Sequence, residues 1–188
     1  APVKNIINIL YLRNGLYGIP TRYYRLMKII KVTGDKNILR EIASILRKIG
    51  SKKCIEKSQY LASNASIGKT INLRDLELNA SNIVSISSCL KQERGLPSHN
   101  VKSINFSYNI LLGDLGVIAL ASNLPKSICE IGLVNCGIND LSGIEILNCI
   151  NGLPNLKIIC IEQNNFSEKL KLEFRKYNSN NPQVLVVV

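Results

Sequence analysis

The stretch of this 188-residue chain whose residue types most nearly spell out a chemistry is Ser63-Asn64-Ala65-Ser66-Ile67-Gly68-Lys69-Thr70. It follows the pattern G-x-x-x-x-G-K-T with serine in place of the first glycine. Such a loop cradles phosphates with backbone N–H groups and a lysine, and it needs a buried strand before it and a helix after it. Residues 56–62 do not read as a buried strand, and Thr70 runs straight into a strand pattern, so the stretch reads as a connector carrying a chance Gly-Lys-Thr. Nucleophilic catalysis finds no set either, because His99 is the sole histidine and the carboxylates are dispersed. The six cysteines contain no Cys-x-x-Cys pair, so a zinc site is not expected. No catalytic residue, metal, cofactor or small-molecule substrate is expected, and the chain reads as a non-enzyme.

The elements themselves are more informative. Four segments fall on one template, apolar-x-x-apolar-x-apolar-x-x-(Asn/Cys/Ser)-x-apolar, in steps of 28, 27 and 28 residues. The first has Leu73, Leu76, Leu78, Ser81 and Ile83; the second has Val101, Ile104, Phe106, Asn109 and Leu111. The third has Ile128, Ile131, Leu133, Cys136 and Ile138, and the fourth has Leu156, Ile159, Ile161, Asn164 and Phe166. A fifth begins at Val184 and Val187. The template predicts a short strand with alternate side chains inward, then a turn whose Asn or Cys satisfies backbone groups of the neighbouring unit. Helical spacing follows in Leu115, Ile118, Ala119 and Leu124, and again in Ile144, Leu147, Cys149 and Ile150, with Asp114 and Asp140 placed to cap those helices.

The run from Asn109 to Ala121, with Leu111, Asp114, Gly116, Leu120 and Ala121, resembles the Asn-x-Leu-x-Asp-x-Gly-x-x-x-Leu-Ala pattern of the ribonuclease-inhibitor-like class of leucine-rich repeats. The resemblance covers residues 71–188, as four full units and a final strand. It implies an α/β solenoid with parallel strands on a concave face and helices on the convex face, and it implies no single activity. Heavy use of Ile, Asn and Lys without Trp, and short irregular repeats joined to a helical segment, also look similar to leucine-rich-repeat effectors of intracellular bacteria.

Charge divides the chain. Residues 1–70 hold fourteen Lys and Arg against three Asp and Glu, which accounts for the whole net charge of +11. They read as a basic, mostly helical N-terminal cap of the repeats, with Ile38, Ile42, Ile45, Leu46 and Ile49 at helical spacing between Gly34 and Gly50. Ile6, Ile9, Tyr11, Asn14 and Leu16 also fit the strand template, so a degenerate repeat is the alternative for the start of the chain.

Binding is therefore the expected function. Strand side chains alternate, so the residues between the inward apolar ones face the concave surface. These are Asp75, Glu77, Asn79, Ser103, Asn105, Ser107, Glu130, Gly132, Val134, Ile158, Cys160 and Glu162, with Tyr108, Asn135 and Gln163 at the strand ends. A protein partner on that face is the first reading, in an effector a host protein. The second is an anionic membrane surface or nucleic acid held by a basic patch of Arg22, Arg25, Lys28, Lys31, Arg47, Lys48, Lys52 and Lys53, with the repeats as scaffold. The apolar residues 184–188 read as a short last strand, a strand cut off from further sequence, or a self-association edge. Unpaired structural thiols, no run of about 18 apolar residues and no secretory h-region point to an intracellular, reducing compartment, with secretion into a host cell if the chain is an effector.

Overall fold

The computed structural model describes residues 37–64, 70–91 and 100–188. The described residues from Asn37 onward form one compact unit. It opens with two helices, α1 (Ile38–Ile49) and α2 (Lys52–Ser63). Strands and helices then alternate: β1 (Thr70–Asn72), α3 (Ala80–Leu90), β2 (Ser103–Asn105), α4 (Gly113–Ala121), β3 (Glu130–Gly132), α5 (Asp140–Ile150), β4 (Ile158–Cys160), α6 (Glu168–Asn180) and β5 (Leu185–Val187). The five strands form one all-parallel sheet in sequential order.

α1 follows from its sequence. Asn37 Oδ1 accepts the Leu39 and Arg40 amides, Gly50 ends the helix with a left-handed φ of 80°, and Ile38, Leu39, Ile42, Ala43 and Leu46 bury one side. That side packs on α2 and on α3. The Gly-Lys-Thr stretch thus has a helix before it and a strand after it, the reverse of what a phosphate loop requires.

Each strand is three residues long, and the first four bury their middle residue, Ile71, Ile104, Ile131 or Ile159, in a common core with the helices. Three-residue strands supply few hydrogen bonds, and the turns after them extend the pairing. Leu73 N donates to Asn105 O, Phe106 N to Gly132 O, and Leu133 N to Cys160 O, at 2.7 to 2.8 Å. Asn109, fully buried, then closes the turn. Its Nδ2 donates to Leu73 O at 2.9 Å and Phe106 O at 2.6 Å, and its Oδ1 accepts Leu76 N at 3.1 Å and Leu78 N at 2.9 Å. Asn164 repeats the arrangement, with Nδ2 on Leu133 O and Ile161 O, each at 2.8 Å, and Oδ1 on Cys136 N at 2.9 Å. Cys136 occupies the same place and aims its thiol at Phe106 O, 3.4 Å away. The expected role of this position, joining neighbouring units through their backbones, is the one observed. Beyond it Gly137 adopts a φ of 66°, and a Cβ there would run into Ile110 O.

Three expectations need correction. The first unit is out of phase: Ile71, not Leu76, pairs with Ile104, so the first step is 33 residues and Leu76 takes the Asn109 place. At the other end Ile159 pairs with Val186 rather than Val187, a step of 27. The inward helix faces are also rotated. Leu115 and Ile144 are 71% and 52% exposed, whereas Gly116, Val117 and Leu120 in α4 and Gly143, Ile146 and Ile150 in α5 are buried. The small residues let each helix approach its neighbour: a Cβ on Gly116 would sit 3.4 Å from Ala80 Cα of α3, and one on Gly143 would run into the Leu170 side chain of α6.

Asp114 and Asp140 do cap, but one unit further on. Asp114 Oδ1 accepts Asn139 N at 2.9 Å and the Ser142 hydroxyl at 2.6 Å; Asp140 accepts Ser167 N at 2.8 Å and its hydroxyl at 2.5 Å. Each aspartate in the first turn of one helix therefore fixes the start of the next. Hydrogen bonds from the Ser167 hydroxyl and then its amide hold the Asp140 carboxyl below its ordinary value of 3.8. A depressed folded-state pKa contributes stability above the unfolded value, lost as pH falls through the folded one. Thermal melts of wild type and Asp140→Asn should accordingly differ at neutral pH, with wild type the more stable, and converge as pH falls through the lowered carboxyl pKa. A gap between them that is constant with pH would refute the assignment.

Candidate interaction face

The outward residues of the sheet form a grid whose rows cross the strands. The first row is Thr70, Ser103, Glu130, Ile158 and Leu185, and the second is Asn72, Asn105, Gly132, Cys160 and Val187. The hydrogen-bonded turns continue it with Arg74, Ser107, Val134 and Glu162, and then with Asp75, Tyr108, Asn135 and Gln163. All four residues of the last row have left-handed backbone, with φ of 54°, 65°, 50° and 58°. Asp75 N donates to Ser107 O, Tyr108 N to Val134 O and Asn135 N to Glu162 O, at 2.7 to 3.0 Å, so the reversal itself is tied to the next unit.

Within the grid, chemistry changes from left to right. On the β1 and β2 side, Asn72 Oδ1 accepts Arg74 N at 3.2 Å and Asn105 Oδ1 accepts Ser107 N at 2.9 Å, the same local turn in both units. The Arg74 guanidinium lies 4.0 Å from the centre of the Tyr108 ring, an attraction between a cation and the negative ring face. Gly132 leaves the floor bare in the middle, since a Cβ there would come within 2.8 Å of Asn105 Oδ1. The β3 and β4 side carries Glu130 and Glu162, and neither takes part in an ion pair among the described residues. Glu162 Oε2 is buried and accepts no hydrogen bond. Cys160 lies between these carboxylates; burial raises its thiol pKa first, and the negative charges of Glu162 and Glu130 raise it further.

Of the residues expected on the face, Ser103, Asn105, Tyr108, Glu130, Val134, Asn135, Ile158, Glu162 and Gln163 occupy the grid. Ser107 does so only nominally: it is buried, and its hydroxyl accepts Val134 N at 3.1 Å. The phase shift of the first unit moves three others. Asp75 belongs to the turn row, Glu77 lies beyond the face with a φ of 59°, and Asn79 is the N-cap of α3 in a capping box with Asn82. Thr70, Asn72, Arg74, Leu185 and Val187 were not anticipated as a face; the run Ile71-x-Leu73-x-x-Leu76 carried the signal, obscured because Gly68 stands at the first apolar position.

Four of the eight basic residues expected to form a patch lie among the described residues. Arg47 and Lys48 end α1, and Lys52 and Lys53 begin α2, while Arg22, Arg25, Lys28 and Lys31 lie outside the described residues. Lys53 Nζ is 3.1 Å from Asp75 and 3.0 Å from Glu77. Hydrogen bonds that it donates to the Glu77 and Asp75 carboxylates raise its pKa, so this lysine is engaged within the chain. Among the described residues no cluster of His, Cys, Asp or Glu could hold a metal ion, and no helix is long and apolar enough to cross a membrane.

No protein-family model matches the chain, and no curated protein matches it.

The six thiols are free and differ in environment. Cys54 and Cys136 are buried, and burial pushes the Cys136 thiol up to about 12. Burial also raises Cys89, Cys149 and Cys160. Because the thiolate is the reactive form, native-state alkylation near neutral pH followed by peptide mapping should leave Cys136 unlabelled. Glu162→Gln should accelerate labelling of Cys160 and leave Cys149 unchanged. Equal acceleration at both would show that the carboxylate does not act on Cys160.

Proposed function

We propose that the strand–helix units form a leucine-rich-repeat solenoid of the ribonuclease-inhibitor-like class, and that it serves as a non-catalytic module binding a protein partner on a concave sheet face. Sequential parallel strands, a helix after each and an Asn or Cys joining consecutive turns support the class. In this reading α1 and α2 cap the first coil, as terminal repeats require. The effector reading rests on residue usage and irregular repeats alone.

The observation that carries the binding role is the unneutralised half of the face. Glu130 and Glu162 share no ion pair among the described residues, and a buried Glu162 oxygen goes without a donor. An unpaired buried acceptor is costly, and a partner's N–H group would satisfy it. Arg74 on Tyr108 offers a second anchor of the kind enriched at binding hot spots.

A different surface supports a second reading. Val84, Leu111, Leu115, Leu141 and Ile144, on or beside the helices, are 49% to 71% exposed, which is more apolar surface than isolated exposure explains. Binding through the basic residues finds less support, because Lys53 is taken up by Asp75 and Glu77.

The two surfaces separate in one titration. A partner recovered by affinity capture is purified and titrated against wild type, against Arg74→Ala/Glu130→Gln/Glu162→Gln, and against Leu115→Ser/Leu141→Ser/Ile144→Ser. The face variant should weaken Kd by at least about tenfold, or about 1.4 kcal/mol, and the helix-side variant should bind as wild type does. The opposite pattern would reject the sheet face and establish the helix side.

A further inference from the structure

β5 is hydrogen-bonded to β4 alone among the described strands. Alternate residues of a parallel strand bond to opposite neighbours. Leu185 N donates to Lys157 O at 2.7 Å and Val187 O accepts Ile161 N at 2.8 Å, so these two residues face β4 and Val186 N points to the open side. The residue of β4 paired with Val186 is Ile159, whose backbone, by the same alternation, faces β5. An inner strand therefore gives this amide to the next strand. In β5 it is given to a side chain: Val186 N donates to Asn178 Oδ1 at 2.9 Å, from the last turn of α6. A second outward donor, Val184 N, is taken by Asn181 O at 2.9 Å within the connecting turn.

We propose that Asn178 guards the sheet edge by standing in for the carbonyl of a further strand, and that removing it converts β5 into a pairing edge for a second copy of this chain. A second copy is the occupant because Val184-Leu185-Val186-Val187-Val188 carries no charged side chain to oppose like-to-like pairing, and Leu185 is 52% exposed beside it. Two such edges related by a two-fold axis pair antiparallel and close on themselves. The guard leaves the strand's apolar side chains in place and withholds its central donor. This inference is independent of the partner proposed for the sheet face.

The test compares the full chain with Asn178→Ala by size-exclusion chromatography with light scattering over a wide concentration range. Wild type should remain monomeric, and Asn178→Ala should shift to dimer as concentration rises. Adding Val186→Pro to that variant removes the exposed donor and should restore the monomer. Amide exchange gives a second reading that needs no variant: Val186 N in wild type should exchange slowly for an edge amide, and Asn178→Ala at low concentration should speed it at least about tenfold, the loss of one protecting bond. A folded Asn178→Ala that stays monomeric at every concentration would overturn the proposal. So would association of wild type to the same extent, a dimer that Val186→Pro leaves intact, or fast exchange of Val186 in wild type.

Discussion

A chain that reverses after every three-residue strand leaves inward backbone groups that no strand can pair, and the fold depends on one side chain per unit to take them. Asn109 does this most completely, because its amide reaches two carbonyls and two N–H groups in two adjacent units. A carboxylate has no donors and a leucine has neither donors nor acceptors, so the position admits few residue types. Cys136 makes the carbonyl contact with Phe106 O, and its own amide is taken by Asn164 of the next unit, as Asn109 takes that of Leu76. In the first unit the place is held by Leu76, which can pair nothing; there the Cys54 thiol of α2 reaches Leu76 O at 3.6 Å. The helix before the sheet thus supplies at its end what a preceding repeat's position cannot.

Once the turns are tied to their neighbours, the same coupling recurs across the structure at a distance of one unit. Asp114 and Asp140 start the next helix rather than their own, and the left-handed residues Asp75, Tyr108 and Asn135 donate to the next unit's carbonyls. Stability in such an array is a matter of interfaces between neighbours, and a unit is defined by the one after it. The outer face inherits this order. Its rows are in line because the turns are in line, which places Arg74 over Tyr108 and leaves Glu130 of β3 and Glu162 of the turn after β4 beyond the bare Gly132.

Much of this was legible in the residues where the period is unbroken. Ile104, Ile131 and Ile159 sit one to a unit at steps of 27 and 28, and the pairing follows them. The first unit was not legible in the same way. Leu73, Leu76 and Leu78 imitate the apolar spacing of a strand, while the true strand starts at Thr70 and the step to the next unit is 33. The helix faces misled for a different reason, since glycines at 116 and 143 face inward and a reading by side-chain apolarity looks past them. Contacts outside the period, such as Lys53 with Asp75, have no signature in spacing at all. For the candidate face, the strands β2 to β4 were read in phase and the residues of β1 and β5 were not.

The central claim is that Asn109 carries the backbone of the turn joining β1 to α3. Amide exchange at Leu76 and Leu78 measures this directly, since both amides are bonded to a side chain and to no strand. In wild type they should be protected as strongly as Leu73 and Phe106. In Asn109→Ala both should lose protection, and urea unfolding should show a loss of at least about 3 kcal/mol, because two N–H groups and two carbonyls lose this partner. Exchange of Leu76 and Leu78 at the rate of exposed turn amides in wild type, or an Asn109→Ala variant of unchanged stability, would contradict the account.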